Sequence, residues 1–183
     1  MSDQKRIFVI AGESSGDQHA AEYIRKHANI NRNIIFDAFG QNEIKKTNAN
    51  LIYDTEKISV IVIIEVLLRY REILQALNIA KEYIKVKKPD LIVLVDYIEF
   101  NLKIAKFAKN LGIPVLFYIA PQVWAWREKR AKKFVHTIKH LAVIFPFEED
   151  YFKKYTNNVT YVGHPLSKKS DLINSCLLYT SDA

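Results

Sequence analysis

Six short apolar runs rich in Ile, Val, Leu and Phe punctuate the chain, at residues 7–11, 34–39, 91–95, 115–119, 141–145 and 159–162. Each is too short for a buried helix, and each is followed by residues with turn signals or helical spacing. Near-continuous apolar strands are those covered on both faces, and parallel strands need a helix-length crossover between them. The alternation therefore predicts the α/β class, a Rossmann-like parallel sheet with flanking helices. Start and stop signals place the helices. Asp17 stands ahead of QHAAEYIRKHA, Asn101 ahead of LKIAKFAKNLG with Gly112 as its stop, and Pro146 ahead of Phe147-Glu148-Glu149-Asp150.

One segment departs from the amphipathic pattern. Residues 58–74 (ISVIVIIEVLLRYREIL) are apolar nearly all round for three turns, with Arg69 and Arg71 at the polar end. A helix of this kind is either buried or dips into a lipid surface, presenting Val60, Ile61, Ile64, Leu67 and Leu68. Burying each such side chain contributes about 1.5–3 kcal/mol, so from the residues alone a place in the core is the first expectation. The apolar run falls well short of the roughly 20 residues needed to cross a bilayer.

Composition narrows the class without fixing the function. At 183 residues and 49% hydrophobic, the chain suits one globular α/β domain. Its 27 Lys and Arg against 20 Asp and Glu favour anionic partners: nucleic acid, phosphorylated metabolites or an acidic lipid surface. A single cysteine, Cys176, excludes an intrachain disulfide, and MSDQKR leads straight into an apolar run rather than a signal-peptide core, so a cytoplasmic location is expected. No internal repeat and no Gly/Ser linker divides the chain. Residues 172–183 (LINSCLLYTSDA) lack Lys, Arg and any period, and read as an aberrant or non-native tail after a domain at 1–171.

Candidate chemistry gathers where apolar runs end. After the first comes Ala11-Gly12-Glu13-Ser14-Ser15-Gly16-Asp17, whose glycines allow close backbone approach and whose following helix offers free amides to an anion. It lacks the Lys of a P-loop and the third glycine of a dinucleotide fingerprint, and on spacing alone a capped tight turn is equally good. The run at 91–95 ends in Asp96, a carboxylate at the strand edge where ligands collect in open parallel sheets, hence a candidate general base. Asn101 better suits the role of helix cap, which leaves Asp96 free. His136 and His140 are four apart, but Thr137 stands where a zinc motif needs Glu, so no metal is expected. The junction PQVWAWREKRAKK holds both tryptophans, Trp124 and Trp126. Arg127, Arg130 and Lys133 share one helix side there, opposite Ala131, Phe134, Val135 and Ile138. That side is either a solvated face or an anion site.

Taken in order, AGESSGD (11–17), IIEVLLRYREIL (63–74), KPDLIVLVDYIEFN (88–101), PQVWAWREKR (121–130), FPFE (145–148) and VGHP (162–165) resemble the lipid A disaccharide synthase family. The resemblance implies the N-terminal half of a GT-B glycosyltransferase. Such an enzyme joins UDP-2,3-diacylglucosamine to 2,3-diacylglucosamine 1-phosphate, forming a β-1,6 disaccharide and UDP in lipopolysaccharide biosynthesis. It implies Asp96 as the base on the acceptor 6-hydroxyl, with Glu13, Ser14, Ser15, Gly16, Asp17, Asn101, Gln122, Trp124, Trp126, Arg127 and Arg130 at the substrates. It also implies no metal or cofactor, no nucleic-acid partner, and a peripheral place on the inner face of a Gram-negative inner membrane. Lipid substrates shift the reading of residues 58–68 toward an interfacial helix.

Family members are about twice this length, and the missing half carries the donor contacts, so the fragment alone is expected to be inactive. The chain departs from the family pattern at Tyr97-Ile98-Glu99, where Ala-Pro-Asp is usual. Two other classes stay open on sequence: a basic nucleic-acid-binding module, and a Rossmann-like nucleotide-binding protein without glycosyltransferase activity.

Overall fold

The computed structural model describes residues 4–31, 33–58, 70–120 and 134–164. Seven strands form one parallel sheet: β1 (Lys5–Ala11), β2 (Ile34–Gly40), β3 (Asn50–Asp54), β4 (Leu91–Val95), β5 (Val115–Tyr118), β6 (His140–Val143) and β7 (Val159–Tyr161). Their order is β3-β2-β1-β4-β5-β6-β7, with every neighbouring pair parallel. The described helices are α1 (Ser14–Ile30), the single turn α2 (Asn42–Lys45), α3 (Tyr70–Lys87), α4 (Ile98–Asn110) and α5 (Pro146–Lys153), with a 3-10 turn at Thr55–Ile58.

Two apolar layers follow from the two-residue period of the strands. In β1, Phe8 and Ile10 face one side, where they join Ala76, Leu77, Ala80 and Ile84 of α3 and Ile104, Ala105 and Ala108 of α4. Ile7, Val9 and Ala11 face the other, against Ala20, Ala21 and Ile24 of α1. The expected apolar positions Phe134 and Val135 are buried in the first layer, where Phe134 meets Phe117 edge-on at 4.7 Å between ring centres. Helix α4 stops where Gly112 takes φ 72°, with the Gly112 and Ile113 amides donating to Lys109 and Ala108. Proline begins α5, and the Glu148 carboxylate accepts from the Ile144 and Phe145 amides ahead of it.

The structure corrects three expectations. Strand β3 carries no strong apolar signal, because as an edge strand it is half exposed and polar at both ends. It pairs with β2 through a register break between Ala38 and Phe39. Its neighbour β2 carries the buried Asp37, which accepts from the Arg6 guanidinium, the Tyr83 hydroxyl and Asn50 Nδ2, so one carboxylate ties β1, β3 and α3 to β2. Helix α1 begins at Ser14, four residues before the expected start at Gln18, and Asp17 lies inside its first turn. Helix α4 begins at Ile98, so Asn101 is not its cap but a buried residue within it. Among the described residues no helix is long and apolar enough to cross a membrane.

Candidate functional site

Strand β1 connects leftward to β2 and β4 rightward to β5, so their outgoing loops diverge and leave a crevice at the carboxyl edge of the sheet. Gly12 and Glu13 form one wall, Asp96 and Tyr97 the other. The walls touch: a Cβ on Gly12 would lie 2.2 Å from Tyr97 Cδ1, so only glycine admits the tyrosine ring here. Gly16, on the first turn of α1, would place a Cβ 3.6 Å from Asp96 Cβ, an ordinary contact distance.

Asp96 and Tyr97 both hold left-handed backbone, at φ 50° and 42°. Consecutive non-glycine residues in this region are uncommon, and strain of this kind concentrates at functional sites. The Tyr97 ring stacks on Phe100 at 5.6 Å between centres and 19° between planes. Asn101 Nδ2 donates to the carbonyls of Val95 (3.2 Å) and Asp96 (2.7 Å).

The crevice is electrostatically asymmetric. Burial raises the Glu13 carboxyl above its ordinary range, and the nearby Asp96 charge raises it further. Tyr97 is likewise raised, by burial first and then by Glu13. His19, farther along α1, is lowered by burial and then by His164, while Glu22 and Asp96 act in the opposite direction. His164 follows β7 and lies against Phe145, 5.5 Å between ring centres. Glu13, His19, Asp96 and His164 thus share one neighbourhood along the strand ends. Two carboxyl groups at the strand ends give the site groups able to exchange a proton with a bound hydroxyl, and burial and the Asp96 charge shift Glu13 toward its protonated form.

The expected residues divide three ways. Glu13, Gly16 and Asp96 meet in the crevice, with Ser14 and Ser15 exposed at the amino end of α1. Asp17, expected as a substrate contact, is buried; its Oδ1 accepts from the Gln41 amide (2.6 Å) and its Oδ2 from Glu43 (2.7 Å). Its carboxylate therefore holds the start of α2 to α1 rather than lining the opening. Asn101, expected at the substrates, is also wholly buried. Gln122, Trp124, Trp126, Arg127 and Arg130 lie outside the described residues, as do Val60, Ile61, Ile64, Leu67 and Leu68 and the tail at 172–183.

His19 had no signal in the sequence, because nothing in its helix distinguishes it until the fold brings His164 near. Among the described residues no three His, Cys, Asp or Glu are grouped to hold a metal ion. His136 and His140 do not share a helix, since His140 opens β6 and pairs with Thr160 Oγ1 at 2.9 Å.

Comparison with solved structures places the fold. The UDP-GlcNAc 2-epimerase of Neisseria meningitidis, solved bound to UDP-GlcNAc, superposes with a TM-score of 0.63 at 10% identity, over 96% of this chain and 51% of that one. MurG of Acinetobacter baumannii gives a TM-score of 0.58 at 16% identity, over 91% and 47%. The arrangement is that of one Rossmann-like half of a GT-B protein. In sequence, the lipid-A-disaccharide synthase of Nitrosococcus oceani is 40% identical over 87% of this chain and 41% of its own length. That of Geobacter metallireducens is 36% identical over 90% and 43%. Lipid-A-disaccharide synthase 1 of Legionella pneumophila strain Paris is 37% identical over 92% and 44%. The chain thus spans less than half the length of these curated relatives. A family model described as lipid-A-disaccharide synthetase matches residues 7–175. With that match across nearly the whole chain, the protein belongs to the lipid-A-disaccharide synthase family.

Proposed function

We propose that residues 1–171 form the acceptor-side half of a lipid A disaccharide synthase, with Asp96 as its general base. Asp96 takes the proton of the 6-hydroxyl of 2,3-diacylglucosamine 1-phosphate as that oxygen attacks the anomeric carbon of UDP-2,3-diacylglucosamine. The glycosidic bond to the diphosphate breaks with inversion, and UDP leaves. The observation that carries this reading is the place of Asp96 at the end of β4, in the crevice where the loops of β1 and β4 diverge. Glu13 supports it as a second carboxyl beside Asp96 in the crevice, shifted toward its protonated form by burial and then by the Asp96 charge.

In this scheme Ser14 and Ser15, beside the free amides of α1, meet the polar sugar. Gln122, Trp124 and Trp126 shape the cleft wall, and Arg127 and Arg130 face the phosphate or the anionic bilayer. Val60, Ile61, Ile64, Leu67 and Leu68 rest on the inner face of the inner membrane, where the acyl chains of both substrates reside. The remaining half of the enzyme, present in the longer relatives, holds the nucleotide.

The test is Asp96→Asn in the complete enzyme, this domain joined to the rest of the synthase. General-base catalysis contributes about 10² to 10⁴, so the barrier should rise by about 3–5 kcal/mol, read as UDP release at saturating substrates. Turnover within a few fold of the parent would sink the assignment.

A further inference from the structure

We propose that Asn101 is a positioning residue: it aims Asp96 by fixing the backbone on which the carboxylate stands, and does not itself touch substrate. The proposal rests on the reading of Asp96 as the base. Asn101 has no exposed surface, which removes it from contact with a ligand in the crevice. Its side-chain nitrogen donates to Val95 O and Asp96 O, and its backbone amide donates to Tyr97 O at 3.1 Å. One residue therefore holds three consecutive carbonyls, those of the last strand residue and of the two left-handed residues that follow.

That pattern selects a conformation. In an extended strand successive carbonyls point to opposite sides, so a single nitrogen cannot reach two of them. Val95 O and Asp96 O converge on one amide only because the chain turns at Asp96 (φ 50°) and Tyr97 (φ 42°). The primary amide carries two hydrogens, one for each carbonyl. The reversed amide would set its oxygen against both carbonyls, so the placement of nitrogen and oxygen is fixed by the acceptors. Asn101 Oδ1 has no partner among the described residues, and the side chain keeps its place through the two donated bonds. Aspartate has the same shape without the hydrogens. Glutamine carries one methylene more into a position with no free surface.

The experiment uses the complete synthase and follows UDP release, with Asn101→Ala and Asn101→Asp made in the parent and in an Asp96→Asn background. Misplacing a reacting group by about 1 Å costs roughly 10²-fold, so N101A should lower kcat by about that factor. The KM for acceptor should stay within about threefold, and N101A should add less than about twofold to the loss in D96N. An equal loss in both backgrounds overturns the proposal. Because N101A leaves buried carbonyls unpaired and can fail to fold, the isosteric N101D carries a second arm. Its carboxyl donates to a carbonyl only when protonated, so its kcat should fall relative to the parent as pH rises. A parental pH profile for a folded N101D overturns the proposal. If D96N itself stays active, the base assignment falls alone. Positioning is then judged by Asp96 in a crystal structure of either Asn101 variant: a return to negative φ supports it, and φ kept near the parental value overturns it.

Discussion

Gly12→Ala should change the sign of its effect with the residue at position 97. The added methyl would stand 2.2, 2.5 and 2.9 Å from Cδ1, Cγ and Cβ of Tyr97, where about 3.5–4 Å is comfortable. The ring must retreat by more than an ångström, yet it stacks on Phe100, which is itself buried. Overpacking of this kind costs about 1–3 kcal/mol. Gly12 is not one of the left-handed glycines, so alanine fits its backbone and stiffens the unfolded chain, a gain of about 0.4–1 kcal/mol. The balance in the parent is a loss of about 1–2 kcal/mol. In a Tyr97→Gly background the Cβ goes with the ring, the methyl enters vacated space, and only the gain of about 0.4–1 kcal/mol remains. Urea unfolding of the four proteins in the cycle measures both numbers, and the coupling should be about 1–3 kcal/mol. A Gly12→Ala effect of the same sign and size in both backgrounds would refute the contact between the two walls.

Two further outcomes follow from the geometry of the crevice and one from the sequence of residues 58–68. Asp17→Ala removes the acceptor of two amides; at about 1.5–3 kcal/mol per bond to a charged group, it should cost about 3 kcal/mol or more. Hydrogen exchange at Gln41 and Glu43 should quicken, with Asp17→Asn recovering part of the loss, and unchanged exchange would remove its role in holding those two amides. Glu13 has a raised folded pKa, so its ionised form opposes folding: stability is lost as pH rises through that value and is unaffected well below the unfolded pKa. Glu13→Gln should therefore raise the Tm at pH 7, with the gain vanishing below about pH 4; a gain constant across pH would contradict the burial argument. Ile61→Asp or Ile64→Asp should weaken binding to anionic vesicles while circular dichroism stays native, and collapse of the fold would return that segment to the core.

The inner strands were legible because both faces are covered, so β1, β2, β4, β5 and β6 each appear as a mainly apolar block, while β7, an edge strand exposed at Thr160 and Tyr161, showed only as the short run 159–162. Strand β3 was not legible, since an edge strand with Asn50 and Asp54 at its ends has no such block. The place of Asp96 at the carboxyl edge of the sheet was legible from its position after a strand, a property of the sheet rather than of its neighbours in sequence. Asp17 and Asn101 misled for a shared reason. Both are residues that commonly cap helices, and both instead bond backbone groups outside their own helix, Asp17 to amides 24 and 26 residues away and Asn101 to carbonyls of the preceding strand end. Only the tertiary arrangement supplies those partners.

The strand order also sets a timetable for synthesis on the ribosome. Strand β1 is made first yet ends near the middle of the sheet, with one flank closed by β2 and the other open until β4 emerges. The clamp between the Arg6 amide and Asp90 alone spans 84 residues. After β4, each new strand adds beside the one just made, out to β7. The nascent domain therefore meets its long loop closure early and grows by neighbouring additions afterwards. The crevice between β1 and β4 is the seam formed at that slow step, so changes that hinder its closure should lower the yield of folded chain before they alter any rate constant of the finished enzyme.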